Sequence, residues 1–168
     1  MASNITLRVF EEGDAQAVVD VLRSSIQYCY AQDYAYCSEK SLQDWLENKT
    51  TENISKWMYA PELANVLALV NNKIAGVGMI NIETGHLGLC YVHPSFMGKG
   101  IGQSLLICLE EFALKSNCPK IHFTSSAGAQ KFYEKWGAIV TGEEAGMSGE
   151  AINPIMEKPL GEKLKDVS

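Results

Sequence analysis

The chain has 168 residues, 46% of them hydrophobic and 20% charged, with a formal net charge of −6 and an isoelectric point near 5.1. That length suits one domain with a substantial core, and the acidic balance argues against general nucleic-acid binding, which needs a basic face. No apolar run reaches the roughly 18 residues of a membrane span, and the start MASNITLRVF lacks the charged-then-apolar pattern of a secretory leader.

In chain order, ITLRVF from Ile5 reads as a strand. From Glu11 to Tyr30 the residues Ala17, Val18, Val21, Leu22 and Ile26 recur at helical spacing, with Asp14 placed to cap the helix. After AQDYAYC, Ser38 precedes a second helix, EKSLQDWLENK, and TENISKWMYAPELA adds a short helical piece that Pro61 stops. The period then changes to two. NVLALV, a turn at NNK and IAGVGMINIE read as a hairpin, and GHLGLCYV as a third strand that ends at Pro94. GQSLLICLEEFALKSN predicts a helix, CPKIHFTSS a strand, AQKFYEKW a short helix closed by Gly137, and AIVTGE and INPIMEKPL the last two strands. This order is mixed α/β, antiparallel early and with helical crossovers late, in a single domain over residues 1–160 with a polar tail at 161–168. The five cysteines, Cys29, Cys37, Cys90, Cys108 and Cys118, form no CxxC pair, and the three histidines stand apart. The expectation is reduced thiols in a cytoplasmic protein, no metal site and no membrane partner.

The stretch YVHPSFMGKGIGQSLL, Tyr91 to Leu106, sets three glycines between a strand signal and a helix signal. A phosphate-binding GxxxxGK[ST] loop is excluded because Gly100 follows Lys99, and GxGxxG is excluded because Gly98, Gly100 and Gly102 have the wrong spacing. What remains is a strand, Pro94, a glycine loop and a helix whose first N–H groups have no partner within the helix. Such a junction suits a pyrophosphate held by main-chain N–H groups at the positive end of a helix. A plain surface turn also collects glycines.

VHPSFMGKGIGQSLL resembles the acetyl-coenzyme A signature of GNAT-type N-acetyltransferases, and AQKFYEKWGA resembles their later helix-and-turn signature. The resemblance in element order runs from Ile5 to about Leu160. It implies a central, mostly antiparallel sheet, splayed in the middle and flanked by helices, with acetyl-CoA as co-substrate in the opening. The pantetheine arm would lie beside Tyr91 and Val92 and the pyrophosphate over Gly98 to Gly102, within a cofactor-binding set of Met97, Gly98, Lys99, Gly100, Ile101, Gly102, Gln103 and Ser126. Ser126 takes the place where the family often has Asn, seven positions before its tyrosine, and that tyrosine is Tyr133. Met97 stands where Gln or Arg is common, and Gly137-Ala138 replaces Gly-Phe. The resemblance gives Tyr133 the role of general acid or thiol-positioning group. The residue pattern alone also allows Ala129, Phe132, Tyr133 and Trp136 to form a packed helix face.

An acyl thioester is already activated, so a neutral amine can attack it directly, with protein groups moving protons and stabilising the oxyanion. Base candidates are His86, His122 and Glu83, beside water-mediated deprotonation without a dedicated base. Strand alternation puts His86, Gly88, Cys90 and Val92 on one face and Leu87, Leu89 and Tyr91 on the other, leaving His86 near an entrance. The first third is aromatic, with Tyr28, Tyr30, Tyr34, Tyr36, Trp45, Trp57 and Tyr59. Tyr28, Tyr30, Tyr34 and Trp45 are the candidates for an acceptor wall. The expected activity is N-acetyl transfer to a primary amine of a small molecule, by a monomer or homodimer. Acetylation of a peptide amine, an acyl-CoA binding module without chemistry, and a structural interaction domain are the alternatives.

Overall fold

The computed structural model describes residues 4–32, 38–145 and 152–161. Ile5–Arg8 forms strand β1 and Ala15–Gln32 forms helix α1. On α1, Val18, Val21, Leu22, Ser25 and Ile26 are buried at i, i+3, i+4, i+7 and i+8, the stripe that a helix on a core requires. The main-chain carbonyl of Asp14 accepts the first helical bond, from the Val18 N–H. Its carboxylate, expected as the cap, turns back instead to the Glu11 N–H at 2.8 Å and the Arg8 guanidinium at 2.7 and 3.1 Å. A two-pronged cation outcompetes a neutral N–H for those oxygens.

Glu39–Glu47 forms α2, started by Ser38, whose Oγ accepts the Ser41 N–H at 3.1 Å. Thr51–Met58 forms α3, started in the same way by Thr50, which accepts from the Asn53 N–H at 3.2 Å. Leu63–Val70 (β2) and Lys73–Asn81 (β3) make the expected hairpin. Asn71 and Asn72 carry φ of 51° and 64° at its two-residue turn, a conformation that Asn tolerates and that matches the strand twist. Leu87–Val92 (β4) completes an antiparallel sheet in the order β1-β2-β3-β4.

Helix α4, Ile101–Lys115, crosses from β4 to β5, Lys120–Thr124. Helix α5, Gln130–Trp136, then leads to β6, Ile139–Ala145, and β7, Ile152–Pro159. The second sheet runs β5-β7-β6, also antiparallel. Among the described residues the two sheets meet at an isolated parallel bridge, His86 with His122, so β4 and β5 start side by side and then part. That parting is the splay.

Two cores lie on the two faces of the first sheet. On one, α4 packs Ile101, Leu105 and Leu109 against Val66, Ala68, Val70 and Ile80. On the other, α1 and α3 bury Leu22 and Ile54 against Leu67, Leu69, Val77, Met79 and Leu89. The period-two reading of β4 breaks at Gly88. Met79 pairs with Leu89 and Ile80 with Leu87, leaving Gly88 as the extra residue of a bulge. Leu87 therefore packs in the α4 core, while Leu89 and Tyr91 pack on the α1 side. Among the described residues no helix is long and apolar enough to cross a membrane.

Candidate active site

The glycine junction forms the floor of the site. After β4, Pro94–Phe96 makes one tight helical turn, fixed by the Ser95 N–H donating to His93 Nδ1 at 3.0 Å. Gly98 and Gly100 then take φ of 79° and 81°, left-handed values that a residue with a Cβ rarely adopts. Gly100 is the cap residue of α4 and gives it no side-chain hydrogen bond, so the N–H groups of Ile101, Gly102 and Gln103 face outward without a helical acceptor. A Cβ on Gly98 or Gly100 would meet nothing within 4 Å, so the space over the loop is open. At Gly102 it would stand 2.7 Å from Phe132 Cζ, because α4 and α5 close tightly there.

A cavity of about 920 Å³ extends from this loop between the parted strands. Of the predicted cofactor residues, Tyr91, Val92, Met97, Gly98, Gly100, Ile101, Gly102, Gln103 and Ser126 line it. Lys99 does not, and its ammonium sits 5.5 Å from the centre of the Phe96 ring. The opposite wall comes from α1 and α2 and includes Tyr28, Tyr30 and Trp45. Trp57 packs against the α1 core and Tyr59 lies edge-on to Phe10 at 5.5 Å, so neither joins that wall. Tyr34 and Tyr36 lie outside the described residues.

The base candidates stand elsewhere. His86, His122 and Glu83 are not in the cavity lining. The two histidine rings lie 5.4 Å apart at the bridge where the sheets join, with His122 Nε2 3.0 Å from the Thr84 carbonyl. Glu83 is exposed in the turn before β4, where its N–H donates to Asn81 Oδ1. Burial, and then the neighbouring His122, lower the pKa of His86 below its ordinary 6.5.

Tyr133 lines the cavity from α5, its ring 4.5 Å from Phe123 and 5.0 Å from Phe132. No described group accepts its O–H, and among the described residues no enclosed side-chain nitrogen or oxygen lacks a partner, so the hydroxyl opens onto the cavity. Burial pushes its pKa well above the ordinary 10.0, and ionised Cys90, Tyr91 or Cys29 would push it the same way. Burial also raises the Cys90 thiol and the Tyr91 phenol to about 12 each, so all three groups are neutral across the physiological range.

The lining also contains residues that sequence reasoning missed, including Ser25 and Cys29 from α1, Cys90 from β4, Ser125, Lys135 and Asn153. Ser25 and Cys29 had a signal. They continue the buried stripe of α1 by steps of three and four from Leu22, and polar residues on such a stripe point to something other than plain core. Lys135 is the one charged residue lining the cavity among those described.

Residues 31–156 match the family model of the acetyltransferase (GNAT) domain. A segment of 60 residues is 42% identical to an acetyltransferase of Pectobacterium atrosepticum, covering 34% of this chain and 42% of that protein. A segment of 53 residues is 38% identical to a glucosamine 6-phosphate N-acetyltransferase of Trypanosoma brucei brucei, covering 32% and 36%. Each match thus spans less than half the length of the curated relative. The fold superposes on a GCN5-related N-acetyltransferase of Rhodopseudomonas palustris with a TM-score of 0.82, at 21% identity over 95% of this chain and 98% of the other. The PaiA N-acetyltransferase of Thermoplasma acidophilum, solved in complex with coenzyme A, gives 0.81, at 22% identity over 94% and 99%.

Proposed function

The chain belongs to the GNAT acetyltransferase family, and from that premise we propose that it transfers the acetyl group of acetyl-CoA to a primary amine of a small molecule by direct attack. The observation that carries this reading is the Tyr133 hydroxyl, open to the cavity and without an acceptor among the described residues, in the same cavity as the glycine loop. Acetyl-CoA supplies an activated thioester carbonyl when bound. The residues present fit it. The N–H groups of Ile101, Gly102 and Gln103 and the open left-handed glycines suit a pyrophosphate, and the parted edge of β4 at Tyr91 and Val92 suits an amide-bearing arm. Main-chain N–H groups on that edge also stabilise charge developing on a carbonyl oxygen.

Tyr133 acts as donor to the leaving sulfur. Its raised pKa keeps the proton on Oη until negative charge develops beside it, and the hydrogen bond then strengthens as the charge grows. His86, His122 and Glu83 lie off the cavity lining, so the proton of the amine leaves through water. Two measurements test the proposal. Calorimetry with acetyl-CoA reads binding, and thiol release across an amine panel, with mass detection of the product, reads transfer. Amine-dependent release with one added acetyl group is the expected result. Binding without amine-dependent release would overturn the transferase reading, and absence of binding would remove the loop from the site.

A further inference from the structure

Trp45 and Tyr91 are 46 positions apart and meet across the cavity wall, where the Trp45 indole N–H donates to the Tyr91 phenol oxygen at 3.1 Å. This bond has a direction. Indole nitrogen can only donate, so the Tyr91 oxygen is the acceptor and its own hydrogen remains available for a second bond. No described residue takes that hydrogen. Accepting a bond polarises a hydroxyl and makes it a stronger donor, so the pair forms a short relay whose last member is the Tyr91 O–H.

The relay has a definite location. Tyr91 packs on the α1 side of β4, and it shares the cavity lining with Tyr28 and Tyr30 on that wall and with Tyr133 on the other. Tyr91 lies close enough to Tyr133 that charge on its oxygen would raise the Tyr133 pKa. Tyr91 and Tyr133 thus line one cavity, the one in which the proposed transfer takes place.

Resting on the proposed transferase function, we propose that the Tyr91 hydroxyl is a specificity-determining donor that selects amines carrying an oxygen acceptor on a carbon next to the one bearing nitrogen. Amino amides, amino esters and amino alcohols belong to this class, and simple alkyl and arylalkyl amines do not. The physical basis is asymmetric. A buried donor satisfied by the substrate contributes modestly, whereas an analogue without the oxygen leaves that donor without a partner at the full desolvation cost. A phenol held neutral up to about 12 remains a donor through the whole working range.

Matched pairs test this directly: L-phenylalaninamide against 2-phenylethylamine, L-alaninamide against isopropylamine, and glucosamine against cyclohexylamine. The wild-type protein is expected to favour the oxygen-bearing member in kcat/KM. Tyr91→Phe keeps the ring, and it should lower kcat/KM for the oxygen-bearing member by roughly 10- to 100-fold more than for its partner, so that the ratio within each pair collapses. Trp45→Phe should shift the same preference in the same direction by less, and combining the two should not add. A role confined to tying α2 to β4 predicts a lower Tm with the pair preference intact, and that result overturns the proposal, as does wild-type indifference to the oxygen. If no amine is acetylated, the transferase reading falls separately. The same pairs titrated against the coenzyme A complex then decide the inference: oxygen-dependent binding lost in Tyr91→Phe supports it, and its absence overturns it.

Discussion

Tyr133 carries two facts with opposite consequences for chemistry. Its hydroxyl opens onto the cavity, and its proton is held harder than that of an ordinary phenol. A donor that strengthens only as charge develops satisfies both. Tyr133→Phe preserves the contacts with Phe123 and Phe132, so acetyl-CoA affinity should hold while the chemical step slows by roughly 10²–10⁴-fold. Rapid-mixing measurement of acetyl transfer isolates that step, and an undiminished rate in the folded variant would assign the ring to packing alone. The signature in the sequence pointed to this residue, but its apolar neighbours at helical spacing fitted a core face equally well. Tyr133 and Trp136 are buried in the α4 core with Ala129 and Phe132 packed against it, so the rate of Tyr133→Phe is what separates the two.

At the scale of elements, the proposed function has the junction between β4 and α4 bind through the main chain. Gly100 has φ of 81° with open space beyond, so Gly100→Val harms by forcing the loop out of the left-handed region and by filling the space a phosphate needs. Affinity for coenzyme A should fall roughly tenfold or more, since a left-handed L-residue costs about 1–2 kcal/mol before any clash. Lys99→Ala should change it little, because that ammonium lies over Phe96 and off the lining. Titration of both variants with coenzyme A checks the contrast, and equal affinities would refute it. Helix α4 is held from beneath, where Gly78 leaves so little room that a Cβ would stand 2.8 Å from Leu109 Cδ1. Leu109 is fully buried, and Leu109→Ala should cost about 2–5 kcal/mol of unfolding free energy in denaturant titration. The Gly88 bulge shows why strand alternation misleads at single positions. Inserting one residue turns every side chain before it to the other face, and the glycine alone announces a bulge only weakly.

For the molecule as a whole, the groups around the splay set a stability window with opposite slopes at its two ends. His86 has a lowered pKa, so the unfolded chain binds its proton more readily and stability falls as the pH drops below 6.5. The slope is gentle because the His86 side chain is only partly withdrawn from water, and His86→Gln should flatten it. Cys90 and Tyr91 are raised to about 12 from ordinary values of 9.0 and 10.0, so their contribution is complete below pH 9 and is lost as the pH climbs toward 12. Tm measured from pH 5 to 11 checks both limbs, and a Tm that holds above pH 10 would contradict the buried state of these groups. The sequence by itself determined the order of helices and strands, the Asn71-Asn72 hairpin turn, the glycine loop and the family signature, because periodicity, turn chemistry and φ requirements are local. Only the tertiary structure decided that Trp45 bonds Tyr91, that His86 and His122 close the joined end of the sheets instead of lining the cavity, and that Ser25 and Cys29 face it. Each of these depends on register and on contacts between distant segments, which the chain acquires only when its two sheets pack and part.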